Sequence, residues 1–297
     1  MTKAKRNWLP FDGLLKNPSL ERRAPILWYG GKDRDADWIL ANLPSNGWST
    51  FVDVFGGSGA IAFRIGNSGK VIIYNDIGNV ANFMRVLATR GEELYRALYF
   101  TPYSREEYEV YGRNWPEAME RGDEVEWARR WFICLQQGYA HTEWGDPWKI
   151  AVTVNNARAQ ANRVDDLPGI IDRIRTGMHI EKLDFVDLIK IYDRDTTLFY
   201  CDPPYIDETR AEGAKTTYKN EMPLDRHKEL LRMLNQVKGQ VVVSMYHHEL
   251  YDKAFTGWRV VEKTAKSSIQ NKASMEGRAD RTEVLWIKER EYGLWAS

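Results

Sequence analysis

The sequence predicts an α/β fold: one open sheet with helices between its strands, broken by a mainly helical insertion. Three observations predict it. Short apolar runs of strand length and composition recur at 50–55, 71–74, 179–185, 198–201, 240–244, 258–262 and 282–287. Several of these runs are followed by stretches on helical spacing, the alternation expected of an α/β sheet. Between about 91 and 169 the pattern changes, and charge and aromatic residues on helical spacing replace the strand-like runs.

The elements follow in order. Residues 1–23 mix Lys, Arg, Pro and Asn without periodicity and read as a loose leader. Ala24 to Lys32 then contains the turn Gly30-Gly31-Lys32. Its glycines leave backbone amides unshielded beside an ammonium, which suits a carboxylate or phosphate, although a plain turn uses the same residues. The strand at 50–55 runs into Gly56-Gly57-Ser58-Gly59 and an apolar helical stretch at 60–65. Strand, glycine turn and helix make the nucleotide-binding opening of a Rossmann-like sheet, with free amides at the helix start. Gly57, Gly59 and Ala62 also fit the dinucleotide spacing, so an NAD-dependent oxidoreductase competes at this point. The strand at 71–74 ends in Asn75-Asp76, where a carboxylate can accept hydrogen bonds from both ribose hydroxyls of an adenosine.

Helices are expected at 79–90 and 92–100, then at 104–115 and 123–139. In the last of these Val125, Ala128, Trp131, Phe132 and Leu135 share a face, with Arg129 and Arg130 beside it and Asp123 to Glu126 as an acidic first turn. A loop from Gly138 to Lys149 carries Tyr139, His141 and Trp144 and is too long for a mere connector. Asn155, Asn156, Arg158, Gln160, Asn162 and Arg163 follow, side-chain types that read base edges or hold phosphates, or that simply solvate a surface. A short helix at 168–177 returns the chain to the sheet.

The strand at 179–185 ends in Asp184-Phe185, with a helix at 186–192 after it, so Asp184 is either a ligand group or a helix cap. The run Leu198-Phe199-Tyr200-Cys201 then meets Asp202-Pro203-Pro204-Tyr205. The prolines end the strand and hold Asp202 extended. An acceptor and a flat ring are thereby presented at the carboxyl end of a strand, where open α/β sheets bind ligands. Thr216-Thr217-Tyr218 precedes a helix at 224–237, and helix 249–255 links the next strands. Lys263, Lys266, Lys272, Arg278 and Arg281 surround a segment that reads as a hairpin able to lie beside phosphates, or as a solvated loop.

Composition bounds the rest. Hydrophobic residues make up 43%, enough for a core. Basic and acidic residues number 42 each, which argues against indiscriminate coating of DNA but allows a local basic face. The two cysteines and five histidines show no ligand spacing, so no metal is expected. No segment has the length and apolarity of a membrane span, and a cytoplasmic location is the expectation.

Asp202-Pro203-Pro204-Tyr205 after an apolar strand resembles the catalytic motif of amino-methyltransferases acting on DNA bases, in particular the Dam-like adenine methyltransferases. The resemblance runs through nearly the whole chain from Ala24. Ala24-Pro25 followed by Gly30-Gly31-Lys32 is similar to the family's donor-contacting segment, with Trp28-Tyr29 as a local variation. Asp53-x-Phe55-x-Gly57-Ser58-Gly59 resembles its motif for S-adenosyl-L-methionine (SAM), and Asp184-Phe185 its pair that meets the donor's adenine. Residues 91–169 stand where the family carries a target-recognition domain, within a catalytic domain formed by 24–90 and 170–297. Met245-Tyr246 departs from the family's usual Ser-Asn or Ser-Tyr.

The resemblance implies SAM as cofactor, bound by Trp28, Tyr29, Gly30, Gly31, Lys32, Asp53, Phe55, Gly57, Ser58, Gly59, Asp76, Asp184 and Phe185. It implies Asp202, Pro203, Pro204 and Tyr205 as catalytic, with the target base flipped out of the duplex. Double-stranded DNA is the implied partner, through Arg129, Arg130, Tyr139, His141, Trp144, Asn155, Asn156, Arg158, Tyr218, Lys266 and Lys272. A cognate restriction endonuclease is a candidate second partner, and a monomer or weak dimer is expected. A cytosine amino-methyltransferase would use the same chemistry, more often with Ser at the place of Asp202. A non-catalytic DNA-binding protein of this ancestry is the remaining alternative.

Overall fold

The computed structural model describes residues 24–65, 69–143, 146–150, 152–206, 222–265 and 281–290. The expected leader at 1–23 lies outside them, as do Trp144, Tyr218, Lys266 and Lys272.

Seven strands form one sheet in the order β3-β2-β1-β4-β5-β7-β6. They are β1 (Thr50–Asp53), β2 (Val71–Asn75), β3 (Met178–Glu181), β4 (Thr197–Cys201), β5 (Gln240–Tyr246), β6 (Arg259–Ala265) and β7 (Arg281–Lys288). β1 pairs parallel with β2 and β4, and β4 parallel with β5, while β7 runs antiparallel to both its neighbours. The chain steps outward from β1 to β3 and then resumes at β4 on the other side of β1. Strand order therefore reverses between β1 and β4, the place where open α/β sheets take their ligands. All five residues of β4 are buried, as a central strand covered on both faces requires.

The period of two sorts the strand residues. On one face Val52, Phe199, Val243 and Trp286 pack with Phe185 and Leu188 of α6 (Phe185–Tyr192). Leu230 and Leu234 of α7 (Leu224–Gln236) and Tyr251 of α8 (Glu249–Ala254) complete that layer. Adjacent positions turn away: Phe51 stacks on Tyr200 at 6.4 Å between ring centres, and meets Trp48 at a tilt at 6.1 Å.

The chain forms two compact units. Of the described residues, a sheet unit takes 37–56, 69–76 and those from 181 onward; a helical unit takes 24–36, 57–65 and those from 77 to 180. The helical unit contains α2 (Asn79–Tyr99), α3 (Trp115–Glu120), α4 (Glu124–Gln137) and α5 (Asn156–Gly177), while α1 (Ala36–Asn42) opens the chain's path into the sheet unit. By contacts this unit therefore starts earlier and ends later than the insertion read at 91–169. The reason is packing along α2: Phe83 lies 5.3 Å from the Trp131 ring and 6.2 Å from that of Phe132. Gly91 lets α2 approach α5 so closely that a Cβ there would meet Ile171 at 2.8 Å.

Four expectations are corrected. The helices read at 79–90 and 92–100 are one helix with a break at Arg90 (φ −134°, ψ 28°). The apolar stretch at 60–65 forms only a 3-10 turn at Ala62–Ile65, so it offers no helix start with a row of free amides. Residues 107–114 form a π-turn and a 3-10 turn, not a regular helix; a Cβ on Gly112 would meet Ile133 at 2.9 Å, so this segment is pressed onto α4. The polar run from Asn156 and the helix expected at 168–177 are one helix, α5, with Pro168 inside it. Proline removes one backbone donor there, and burial of Leu167, Ile170, Ile171 and Ile174 carries the helix through.

Candidate active site

At the switch point β4 ends in Cys201, and Asp202 to Tyr205 leave it without regular structure, Pro203 buried and the other three partly so. Asp53, 1% exposed, ends β1 opposite Tyr200. Burial, then the carboxylates of Asp53 and Asp202, push the Cys201 thiol well up, so this buried cysteine stays protonated and supplies no nucleophile. The Tyr205 hydroxyl donates to Glu283 at 3.2 Å from Oε2, and its ring lies 4.6 Å from that of Tyr246. Burial, Asp202, Glu283 and Tyr246 in that order hold the Tyr205 phenol well above its ordinary value, so it remains a donor.

On β2, burial, followed by the charges of Asp76 and Asp53, raises the Tyr74 phenol. Gly56 is required there: a Cβ on it would lie 2.3 Å from the Tyr74 ring. Its amide donates to the Asn75 carbonyl at 2.7 Å. Asn75 is a positioning residue that the motif reading passed over. Its Nδ2 donates to the carbonyls of Val54 at 2.9 Å and Leu183 at 3.1 Å, and its Oδ1 accepts from the Leu183 amide at 2.8 Å. One buried amide thus ties the exits of β1 and β2 to the segment leading into α6. An asparagine closing a buried strand was the available signal.

Phe185 stacks at 5.8 Å from Phe55, giving an aromatic pair beside these strand ends. Asp184 has other duties. Its Oδ1 accepts from the Val186 amide at 2.9 Å as the cap of α6, and its Oδ2 pairs with Arg226. Burial acts to raise its carboxyl, but the Val186 hydrogen bond and Arg226 hold it below its usual value. Of the two roles read for this residue, the cap is the one the structure displays.

Within the helical unit, Gly30 adopts φ 74° and the Gly31 amide closes a turn onto the Trp28 carbonyl at 3.0 Å. Lys32 is buried, while Tyr29 is exposed. Gly57 (φ 49°) and Gly59 (φ 78°) use glycine's conformational freedom, and a Cβ at Gly57 would meet the Trp28 indole at 3.2 Å. Ser58 between them is buried.

The chain matches the family model described as D12 class N6 adenine-specific DNA methyltransferase over residues 28–269, well over half its length. It belongs to that family. This D12-class enzyme transfers a methyl group from a methyl donor to N6 of adenine in DNA. The cytosine and oxidoreductase readings are thereby set aside, as is a protein without catalysis. No curated protein matches the chain. Among the described residues no helix is long and apolar enough to cross a membrane, and no group of three or more His, Cys, Asp or Glu residues is arranged to hold a metal.

The methyltransferase's residues read as DNA contacts are divided by the structure. Arg129 and Arg130 are drawn inward: Arg129 pairs with Glu126 at 2.7 Å and with Glu107, and buried Arg130 pairs with Glu126 at 2.6 Å. Their cause is burial of α4 nearly all round, with Trp127, Ile133, Cys134, Gln136 and Gln137 buried besides the expected face. Asn155 caps α5, accepting from the Arg158 amide at 2.9 Å, and Asn156 donates to the Tyr103 hydroxyl at 3.1 Å. Gln160 is buried against Gln137, and Arg163 donates to the Ala24 carbonyl at 2.8 Å. His141 (φ 58°) bonds the Leu135 carbonyl through Nδ1 at 2.7 Å, and burial depresses its basicity, so it stays neutral inside the loop. The loop is built around Asp146, which accepts from the amides of Ala140 and Thr142 and from the Thr142 hydroxyl. Tyr139 (70% exposed) and Arg158 are left facing solvent.

Proposed function

We propose that SAM is the methyl donor and that Asp202 to Tyr205 hold and activate the target adenine. The observation that carries this is the place of Asp202: partly buried, directly after β4, at the point where strand order reverses.

The sheet unit fits the donor. Asp76 closes β2 where a ribose would be held, the Phe55–Phe185 pair supplies aromatic surface, and Gly56 clears the turn. Asp184, which also caps α6 and pairs with Arg226, keeps its role toward the donor's adenine on the resemblance alone. Trp28 to Lys32 and Gly57 to Gly59 keep the donor-binding role on their residue types and the resemblance alone. When bound, SAM supplies an electrophilic sulfonium methyl group.

The chain's own residues prepare the nucleophile. The lone pair of adenine N6 is drawn into the ring. Asp202, with a backbone carbonyl of the Pro203-Pro204 turn, accepts hydrogen bonds from the amino hydrogens and returns electron density to nitrogen. Tyr205 offers its ring to the flipped base, whose removal from the stack costs about a few kcal/mol. Tyr139, Arg158 and Asn155 are the described candidates for holding the duplex, within a recognition region at 91–169. A cytoplasmic location, a monomer or weak dimer and an endonuclease partner stay expectations from the sequence.

The test is Asp202→Ala. Tritium transfer from labelled SAM to unmethylated DNA falls by about a thousandfold or more, while calorimetric SAM binding is retained. Wild-type turnover in this variant would remove Asp202 from the mechanism.

A further inference from the structure

We infer that Glu283 is a positioning residue for methyl transfer, holding the ring of Tyr205 at its working angle together with Tyr246. The inference deepens the assignment of Asp202 to Tyr205 as the site and rests on it.

Tyr205 lies in a segment that no ladder holds. Residues 202–206 belong to no strand or helix, and Pro203 and Pro204 have no amide hydrogen to tie the segment down. The angle of its ring is therefore set by side chains. Among the described residues, Glu283 of β7 and Tyr246 of β5 reach it. The hydroxyl meets Glu283 at 3.2 and 3.4 Å from the two carboxylate oxygens. The ring meets Tyr246 at 4.6 Å with 57° between the planes. Tyr246 and Glu283 face one another in the antiparallel register of β5 and β7, so one rung of the sheet supplies both contacts.

The position is a costly one for a carboxylate. Glu283 is 8% exposed on a strand whose next four residues, Val284 to Ile287, are at most 1% exposed. A buried carboxylate needs hydrogen bonds, and Tyr205 provides one. An apolar residue would pack there without that cost but would take this hydrogen bond from the hydroxyl. Groups that must be held within a fraction of an ångström are held by such supporting side chains.

Kinetics on unmethylated genomic DNA with labelled SAM test the inference. Glu283→Leu lowers kcat about ten- to a hundredfold with KM for SAM unchanged, and Glu283→Gln, which keeps an acceptor, recovers most of the loss. Tyr205→Phe lowers kcat by a similar factor, and adding Glu283→Leu to it costs much less than Glu283→Leu costs alone, because the two residues share a hydrogen bond. A wild-type rate in folded Glu283→Leu, or a full additional drop in the Tyr205→Phe background, overturns the inference. Should Glu283→Leu not fold, Tyr205→Phe decides: full kcat there leaves the hydroxyl, and with it Glu283, without this role. Asp202→Ala run alongside separates the failures. An active Asp202→Ala removes the site and this inference together, whereas an inactive one beside a fully active Glu283→Leu removes the Glu283 inference alone.

Discussion

The two compact units bury polar side chains in different ways. In the sheet unit His227 is fully buried and neutral, its Nδ1 2.7 Å from the Tyr251 hydroxyl. Around the strand ends, Asn75 and Tyr205 likewise make hydrogen bonds that fix the exits of β1, β2 and β4. In the helical unit, beside neutral amides such as Gln137 and Gln160, ion pairs also turn inward: Arg129 between Glu126 and Glu107, and Arg130 on Glu126. A neutral hydrogen-bonded pair costs little to bury, whereas a buried ion depends on its partner. The sheet unit carries Asp53, Asp76 and Asp202 at the ends of β1, β2 and β4. The helical unit spends much of its charge on its own fold.

Apart from the loss of transfer expected in Asp202→Ala, the largest effect should come from breaking the helical unit's ion network. Arg129 is 13% and Glu107 15% exposed at the side chain, so Arg129→Ala strands carboxylates in a poorly solvated place. It should cost about 3 kcal/mol or more in denaturant unfolding. If Arg129→Ala instead leaves stability intact and weakens DNA binding, Arg129 is a phosphate contact and the contrast between the units is lost.

The next effect belongs to the sheet unit and depends on pH. Burial, followed by the charge of His248, lowers His227 from 6.5 to about 4. Between those values the unfolded chain binds the proton and the folded chain does not. Stability therefore falls as pH drops from 6.5 towards 4, by about 2 to 3 kcal/mol from this group. Unfolding measured at pH 7 and pH 4.5 should show a smaller difference in His227→Gln than in the wild type. An unchanged difference would mean that His227 is not held neutral.

The same contrast explains how far the sequence could be read. Most of the sheet was legible, because apolar runs such as Leu198 to Cys201 mark buried central strands; the strand read at 179–185 was not, since β3 ends at Glu181 and Phe185 opens α6. Asp202-Pro203-Pro204-Tyr205 was legible because prolines act locally: they end a strand without help from distant residues. What escaped depended on partners far along the chain. Nothing near Arg129 in the sequence shows that Glu107 will meet it, and nothing near Asp184 announces Arg226. Asn75 was hidden in the same way, since its value lies in Leu183. The polar run from Asn155 to Arg163 suggested a DNA-reading surface by residue type, yet Asn156, Gln160 and Arg163 each found a partner inside the helical unit.

Arg158 is where that contrast can be sharpened with the smallest perturbation. It stands in the first turn of α5, exposed, with its amide, not its guanidinium, bound to Asn155. A long cation beside the start of a helix gains nothing from the helix dipole, which favours negative charge there. Its removal should leave stability within about 0.5 kcal/mol, as for most exposed positions. If the guanidinium meets a phosphate, Arg158→Ala should lower the slope of log affinity against log salt by about one, with equal loss on specific and unrelated duplexes. Fluorescence-anisotropy titrations at several salt concentrations read both quantities. A slope identical to wild type assigns Arg158 to solvent and moves the search for phosphate contacts away from this turn. A loss confined to one duplex sequence assigns it to a base edge, and the helical unit then contributes readout as well as grip.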